Sequence, residues 1–239
     1  VASSAGQGDT LTGLKSVVPA GDQADAFLVP AQSNGQLGLY LVQKGAPGLT
    51  TRGYLTQDGS RAAEVQMHNT PAVRVTHQGL VALEHAVDVG IACLCAEAVG
   101  TMEKTLAITI EYMNTRKQFG VTLATFQALR HRVSDMKMQL ELARSMSYYA
   151  SLKLSFPADE RRAALSRAKF QLGNSMRFVG QQAVQLHGGD GVKSGSVVEH
   201  LYRDIRALRI YEGATEVQKL IVAREMLKQH EAEMRAAAE

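Results

Sequence analysis

The chain has 239 residues and a mass of 25.8 kDa, enough for one generous core or two small ones. Hydrophobic residues at 45% and charged residues at 21% exclude a disordered or collagen-like chain, and no run approaches the ~18 uninterrupted apolar residues of a membrane span. A net charge of +3 with pI near 8.9 is too mild to mark a nucleic-acid binder but suits a bound acidic small molecule.

Val1 is not a Met and leads straight into polar residues, without the charged and apolar regions of a signal peptide. The expectation is a fragment or trimmed chain in which part of a binding site is missing. From Gly8 to about Val75, short apolar stretches are cut by turn signals. Ala26–Val29 ends at Pro30, Ser33-Asn34-Gly35 makes a turn, and Leu37–Val42 runs on to Gly45 and Pro47-Gly48. Asp58-Gly59 then precedes Ala62–Met67. This punctuation predicts four to six antiparallel strands, too few for a closed barrel.

After about Leu80 the period becomes helical. Val87, Ile91, Leu94, Ala98, Met102, Leu106 and Met113 predict a helix over Leu83–Lys117, roughly 50 Å long. Cys93 and Cys95 fall on different faces of it, as free thiols in a reducing compartment, cytoplasm or mitochondrial matrix. A second helix opens at Thr125 as N-cap, carries Phe126, Leu129, Val133, Met136, Leu140 and Ala143, and stops at Pro157. The third has Asp159 and Glu160 in its first turn, a stripe of Leu165, Ala168, Leu172, Val179, Ala183 and Leu186, and Gly188-Gly189 at its end. A shorter helix covers Val197–Leu208, and a last one starts near Thr215, with a charged tail from Glu231 that frays. The fold class is α+β: a partial antiparallel β domain, residues 1–79, followed by an antiparallel helical bundle, residues 80–239.

Seven His residues form no His-x-x-x-His pair and no Cys/His cluster, so no metal site is expected. Walker, dinucleotide-fingerprint and Gly-x-Ser-x-Gly patterns are absent. Three constellations remain, each modest by itself. Arg116-Lys117-Gln118-Phe119-Gly120 reads as a helix C-terminus with capping cations, followed by Phe126-Gln127. Gln185-Leu186-His187-Gly188-Gly189-Asp190-Gly191 reads as a glycine cap or a loop that a ligand approaches closely. Tyr202-Arg203-Asp204 through Tyr211-Glu212-Gly213 places one carboxylate at a break between helices, where by itself Glu212 reads as a solvated loop residue.

Their joint order resembles the acyl-CoA dehydrogenase family: Arg-x-x-Phe-Gly, Phe-Gln, Gln-x-x-Gly-Gly-x-Gly, Tyr-Arg-Asp, Tyr-Glu-Gly and Val-Gln occur in sequence. Leu11–Lys15, Ala24-Asp25 and Gly38–Val42 are similar to phrases of that family's middle β domain. The resemblance implies that the N-terminal helical domain and the segments lining the flavin ring are absent, so that this chain alone holds little FAD and is inactive. It implies FAD contacts from Arg116, Phe119 and Gln127, with Gln185, Gly188 and Gly189 reaching a neighbouring subunit's FAD. Ala214 and Glu216 fall at the start of a helix facing the cofactor, and Tyr211 and Gly213 fall beside the substrate. Ala214 stands where the family often has Thr, which removes a hydroxyl contact.

Glu212 matches the family's catalytic base, which takes the α-proton of an acyl-CoA while FAD accepts the β-hydride. Some members place that base on the first long helix, where this chain has Gly90. Asp88 is present but Ile91 replaces the Arg of the family's Asp-x-x-Arg, and the Cys93–Met102 stretch is similar to members handling dicarboxylyl, aromatic or steroid side-chain thioesters. The implied partners are an acyl-CoA, an electron-transfer flavoprotein, and further subunits in a homodimer, homotetramer or heteromer, with no nucleic acid and no membrane span. The alternatives are a non-catalytic partner subunit of a heteromeric dehydrogenase, or an acyl-CoA oxidase using oxygen.

Overall fold

A computed structural model describes residues 3–5 and 10–237 and divides the chain into two units, Val1–Ala86 and Val87–Glu239. The first holds one seven-stranded sheet in the order β5-β6-β2-β1-β3-β4-β7. Its strands are β1 (Ser3–Ala5), β2 (Thr10–Pro19), β3 (Ala26–Ser33), β4 (Gln36–Gln43), β5 (Leu49–Leu55), β6 (Arg61–Pro71) and β7 (Val73–Thr76). Neighbours are antiparallel except β1 and β3, which meet in parallel at Ser4↔Gln32. The sequence reading missed strands for local reasons. β1 spans three residues, and only Ala72 separates β6 from β7, leaving no room for a turn signal.

Turn chemistry elsewhere worked as expected. The β3–β4 hairpin closes on Asn34 (φ 50°) and Gly35 (φ 78°), the left-handed pair that matches strand twist. Pro30, however, does not end its strand. It pairs with Leu39 inside β3, and the strand runs on to Ser33. Proline is tolerated because the β1–β3 ladder meets at Gln32, so the Pro30 nitrogen owes no bond on that side. Alternate residues Phe27, Val29 and Ala31 pack with Tyr40, Val42, Val65 and Met67 in this unit's core.

The helices are α1 (Gly79–Thr115), α2 (Gln127–Lys153), α3 (Ala158–His187), α4 (Val197–Leu208) and α5 (Thr215–Ala236). The core of the second unit joins Ile91, Ala98, Met102 and Leu106 of α1 to Met136, Leu140 and Ala143 of α2. Leu165, Ala168, Leu172, Val179 and Ala183 of α3 complete it, so the predicted stripes face one another. Buried hydroxyls on α1 are satisfied within the helix: Thr105 and Thr109 donate to the carbonyls four residues back, each at 2.7 Å.

Three boundaries differ from the sequence reading. α1 stops at Thr115, because residues 116–122 turn back as a small hairpin of β8 (Lys117–Gln118) and β9 (Val121–Thr122). Thr125 ends a 3₁₀ turn, with its hydroxyl donating to Thr122 O at 2.7 Å; α2 begins at Gln127, and Phe126 is its N-cap. α5 continues through the charged tail to Ala236. The exclusion of a membrane span also rested on too strict a test. α1 has an 18-residue window of hydropathy 1.6, long and apolar enough by composition to cross a bilayer. Its Asp88 pairs with Arg161 of α3, and its apolar stripe lies in the bundle core, so here it is a packed bundle helix.

Candidate functional site

Glu212 lies in the break between α4 and α5. After Leu208 the chain makes one more turn, with Ile210 N–H and Tyr211 N–H both donating to Ala207 O at 2.8 and 3.1 Å. Glu212 then adopts φ 51° and Gly213 φ 96°, and Thr215 N–H returns to Arg209 O at 3.3 Å. A left-handed glutamate is uncommon, and such backbones persist only where the surroundings enforce them. Gln218 supplies one restraint. Its Nε2 donates to Glu212 O at 3.1 Å, and a Cβ at Gly213 would lie 2.6 Å from that nitrogen. Among the described residues no backbone carbonyl accepts from Glu212 N–H, which leaves it available to a ligand oxygen. The Glu212 side chain is exposed in this chain and runs toward α1, where a Cβ built on Gly90 would sit 4.0 Å from Glu212 Cγ. Tyr211 is 37% exposed, beside Glu212 in sequence.

The loop's far side is pinned by the start of α5. Ala214 is the N-cap and Glu216 stands in the first turn, where a carboxylate suits the helix dipole. Thr215 is buried, its side chain pressed onto α3 at Gly173; a Cβ there would overlap Thr215 Oγ1 and lie 2.9 Å from Cγ2. The hydroxyl one residue after Ala214 is therefore turned into the protein and does not replace the missing one.

The other predicted residues meet in a second place. A cavity of about 360 Å³ opens between the end of α1, the β8 strand, the start of α2 and the end of α3. Arg116, Gln185, Gly188 and Gly189 line it together with Tyr112, Arg132 and His187. Arg116 closes α1 with its N–H, which donates to Tyr112 O at 2.8 Å, and also lines this cavity. The His187 ring stacks on Tyr112 with centroids 4.3 Å apart, and its Nδ1 is 2.8 Å from Ala183 O. The Tyr112 hydroxyl donates to Asp190 Oδ2 at 3.0 Å; burial, followed by that carboxylate, holds it above the usual tyrosine pKa. Two guanidiniums, two glycines and apolar walls from Leu123, Leu129 and Leu186 fit a cofactor that is part phosphate and part apolar, as FAD is.

Phe119 and Gln127 do not line this cavity. Phe119 sits at the hairpin tip with φ 55°, 91% exposed and edge-on to Phe126, and Gln127 is an exposed first residue of α2. Ala214, Glu216 and Glu212 also lie outside its wall. Among the described residues no group of three or more His, Cys, Asp or Glu could hold a metal. Asp88 is buried and accepts from Arg161 Nε at 2.7 Å, while Ile91 is core. An arginine from α3 therefore meets Asp88 where Ile91 offers none. Arg132 and Arg161 were missed because each reaches its place by tertiary packing, whereas Tyr112 stands one helical turn before Arg116, a spacing that could have found it.

Residues 77–227 match the family described as acyl-CoA dehydrogenase, C-terminal domain. A probable acyl-CoA dehydrogenase, YngJ, of Bacillus subtilis is 32% identical over 199 residues, 79% of this chain and 51% of its own length. The caffeyl-CoA reductase–Etf complex subunit CarC of Acetobacterium woodii is 30% identical over 204 residues, 85% of this chain and 52% of its own. The structure of butyryl-CoA dehydrogenase from Megasphaera elsdenii superposes with TM-score 0.83 at 28% identity, covering 94% of this chain and 62% of that one. The chain spans about half the length of the curated relatives it matches.

Proposed function

The chain belongs to the acyl-CoA dehydrogenase family, and on that premise we propose that it serves flavin-dependent α,β-dehydrogenation of an acyl-CoA thioester with Glu212 as the base. The observation that carries this reading is the left-handed Glu212, presented at a helix break with its side chain exposed and its carbonyl held by Gln218.

In the proposed reaction a Glu212 carboxylate oxygen takes the α-proton, the Cα–H electron pair forms the new Cα=Cβ bond, and the hydrogen on Cβ departs with its own pair. When bound, FAD supplies the acceptor for that hydride. Thioester α-protons are weakly acidic, so the carbonyl oxygen must be polarised as the proton leaves. That Glu212 N–H has no backbone acceptor among the described residues supports giving it that task. Tyr211 and Gly213 flank the acyl group in this reading, and the side chain absent at Gly213 leaves room for Gln218 to hold the loop.

Arg116 would hold an anionic part of the cofactor in the cavity at the end of α1, as a guanidinium suits a pyrophosphate. Gln185, Gly188 and Gly189 share that wall, so in this reading they meet the same cofactor as Arg116, one bound by a neighbouring subunit in a dimer or larger assembly. Phe119, exposed at its hairpin tip, and Gln127 complete a surface that a second subunit covers, while Ala214 and Glu216 offer the first turn of α5 to the cofactor. The domain reading is a middle β domain ending near residue 79, with the helical domain following. An electron-transfer flavoprotein is the proposed oxidant, consistent with a relative described as an Etf-complex subunit. A reducing compartment suits the exposed thiol of Cys93.

The test is the absorbance of the protein isolated with its complete flavin site. A yellow flavin band bleached anaerobically by an acyl-CoA supports the reading. A flavin that binds yet stays oxidised under saturating thioesters contradicts it and favours the non-catalytic partner subunit.

A further inference from the structure

We propose that Lys169 and Gln218 are positioning residues for Glu212: two buried donors that grip the backbone carbonyls of Leu208 and Glu212 and so fix the segment between them. The proposal rests on the reading of Glu212 as the base.

Lys169 lies on α3 between Leu165 and Leu172, where packing alone would call for an apolar residue, and it is 2% exposed. Its Nζ donates to Leu208 O, the last residue of α4. A cation suits the carbonyl end of a helix, but one neutral oxygen satisfies only one of three N–H donors. Burial accordingly holds this ammonium below the ordinary lysine range. The charged or titratable groups that act on it are Cys95 of α1, Arg209 just past α4, and Glu212 itself. A buried ammonium of this kind is costly as packing, and its bond ends where the Glu212 segment begins.

Gln218 grips the other end. It is 3% exposed on α5, its Nε2 donates to Glu212 O at 3.1 Å, and among the described residues its buried Oε1 has no partner. An amide left half-satisfied in the interior is unfavourable by itself. It holds the carbonyl of left-handed Glu212, and a Cβ added at Gly213 would lie 2.6 Å from its Nε2. Two poorly compensated buried donors hold the two ends of a five-residue segment, Leu208 to Glu212.

The experiment compares Lys169→Met, Gln218→Leu and Glu212→Gln in the flavin-loaded protein. It measures flavin content, thermal midpoint, KM for an acyl-CoA, and flavin reduction at saturating thioester. A misplaced base costs rate at saturation, so the first two variants should each slow reduction ~10–100-fold with KM and flavin content near normal. Lys169→Met should not lower the thermal midpoint, because it removes a buried charge. Hydrogen exchange of the Ile210, Tyr211 and Thr215 amides, which are bonded within this segment and need no flavin, should accelerate in both while α3 stays protected. Normal reduction and exchange in either variant overturns the proposal for that residue, and slow reduction accompanied by lost flavin and a lower midpoint assigns it a purely structural role. If Glu212→Gln itself reduces flavin normally, the base lies elsewhere and the earlier reading fails. If only Glu212→Gln is slow, that reading stands and the positioning proposal falls.

Discussion

Gly90 of α1 stands opposite Glu212: a Cβ added to Gly90 would meet Glu212 Cγ at 4.0 Å, ordinary van der Waals contact. The two positions that the family resemblance offers for a base, 122 residues apart in sequence, share one spot in the fold, and only one of them carries a carboxylate.

Moving the carboxylate across that gap is the first prediction. Gly90→Glu combined with Glu212→Gln should recover part of the flavin reduction that Glu212→Gln alone loses, because the two side chains start from neighbouring points. Stopped-flow reduction by one thioester series checks it. A double variant as slow as Glu212→Gln would mean that the gap does not hold the acyl α-carbon.

The second prediction concerns how the Glu212 loop is supported. Gly173→Ala places a Cβ inside Thr215, and neither the α3 backbone nor the start of α5 can yield freely. Overpacking of this kind costs about 1–3 kcal/mol. For a domain of this size, thermal melting should drop by roughly 2–4 °C per kcal/mol. An unchanged midpoint would show that α5 can shift away from α3.

How much of this could be read beforehand depended on whether a feature was local. The stripe from Leu165 to Leu186 and the hairpin at Asn34-Gly35 are set by periods and turns within one segment, and both formed where expected. The end of α1 was misplaced because the small hairpin of residues 117–122 is specified by its own turn at Phe119 and Gly120, inside what looked like a cationic cap. Pro30 misled for the opposite reason: what tolerates it is a neighbouring strand's register, which no local pattern reveals. At the site, Glu212, Arg116 and Gln185 were legible as motif members. Gln218 was legible as the glutamine of the Val-Gln pair but without a role, and Arg132 carried no motif. Lys169 left a trace, a lysine on an otherwise apolar stripe.

Arg116→Ala and Arg132→Ala form the third prediction. Each should weaken FAD binding roughly 10–100-fold, the range expected on losing a charge-assisted hydrogen bond. The double variant should bind with a shallower dependence on salt. Fluorescence titration of FAD at two ionic strengths checks it, and unaltered affinity in both single variants would remove this cavity from the cofactor path.

The fourth prediction separates the two cysteines. Cys93 is exposed, whereas burial pushes the Cys95 thiol up to about 11. Only the thiolate reacts, so a thiol reagent at pH 8 should modify one cysteine in the native protein and two after denaturation. Rapid labelling of both in the native state would show that α1 does not stay packed against α3.

The account stands or falls on Glu212, and one measurement addresses it directly: anaerobic flavin reduction by saturating acyl-CoA in the Glu212→Gln protein. The amide keeps the size and shape of the side chain but cannot take the α-proton. FAD should remain bound and the thioester should still bind, while reduction slows by ~10²–10⁴-fold, the usual contribution of a positioned base. Reduction at a near-normal rate with flavin and thioester bound would contradict the account, because Gly90, the other position the resemblance offers for a base, carries no carboxylate.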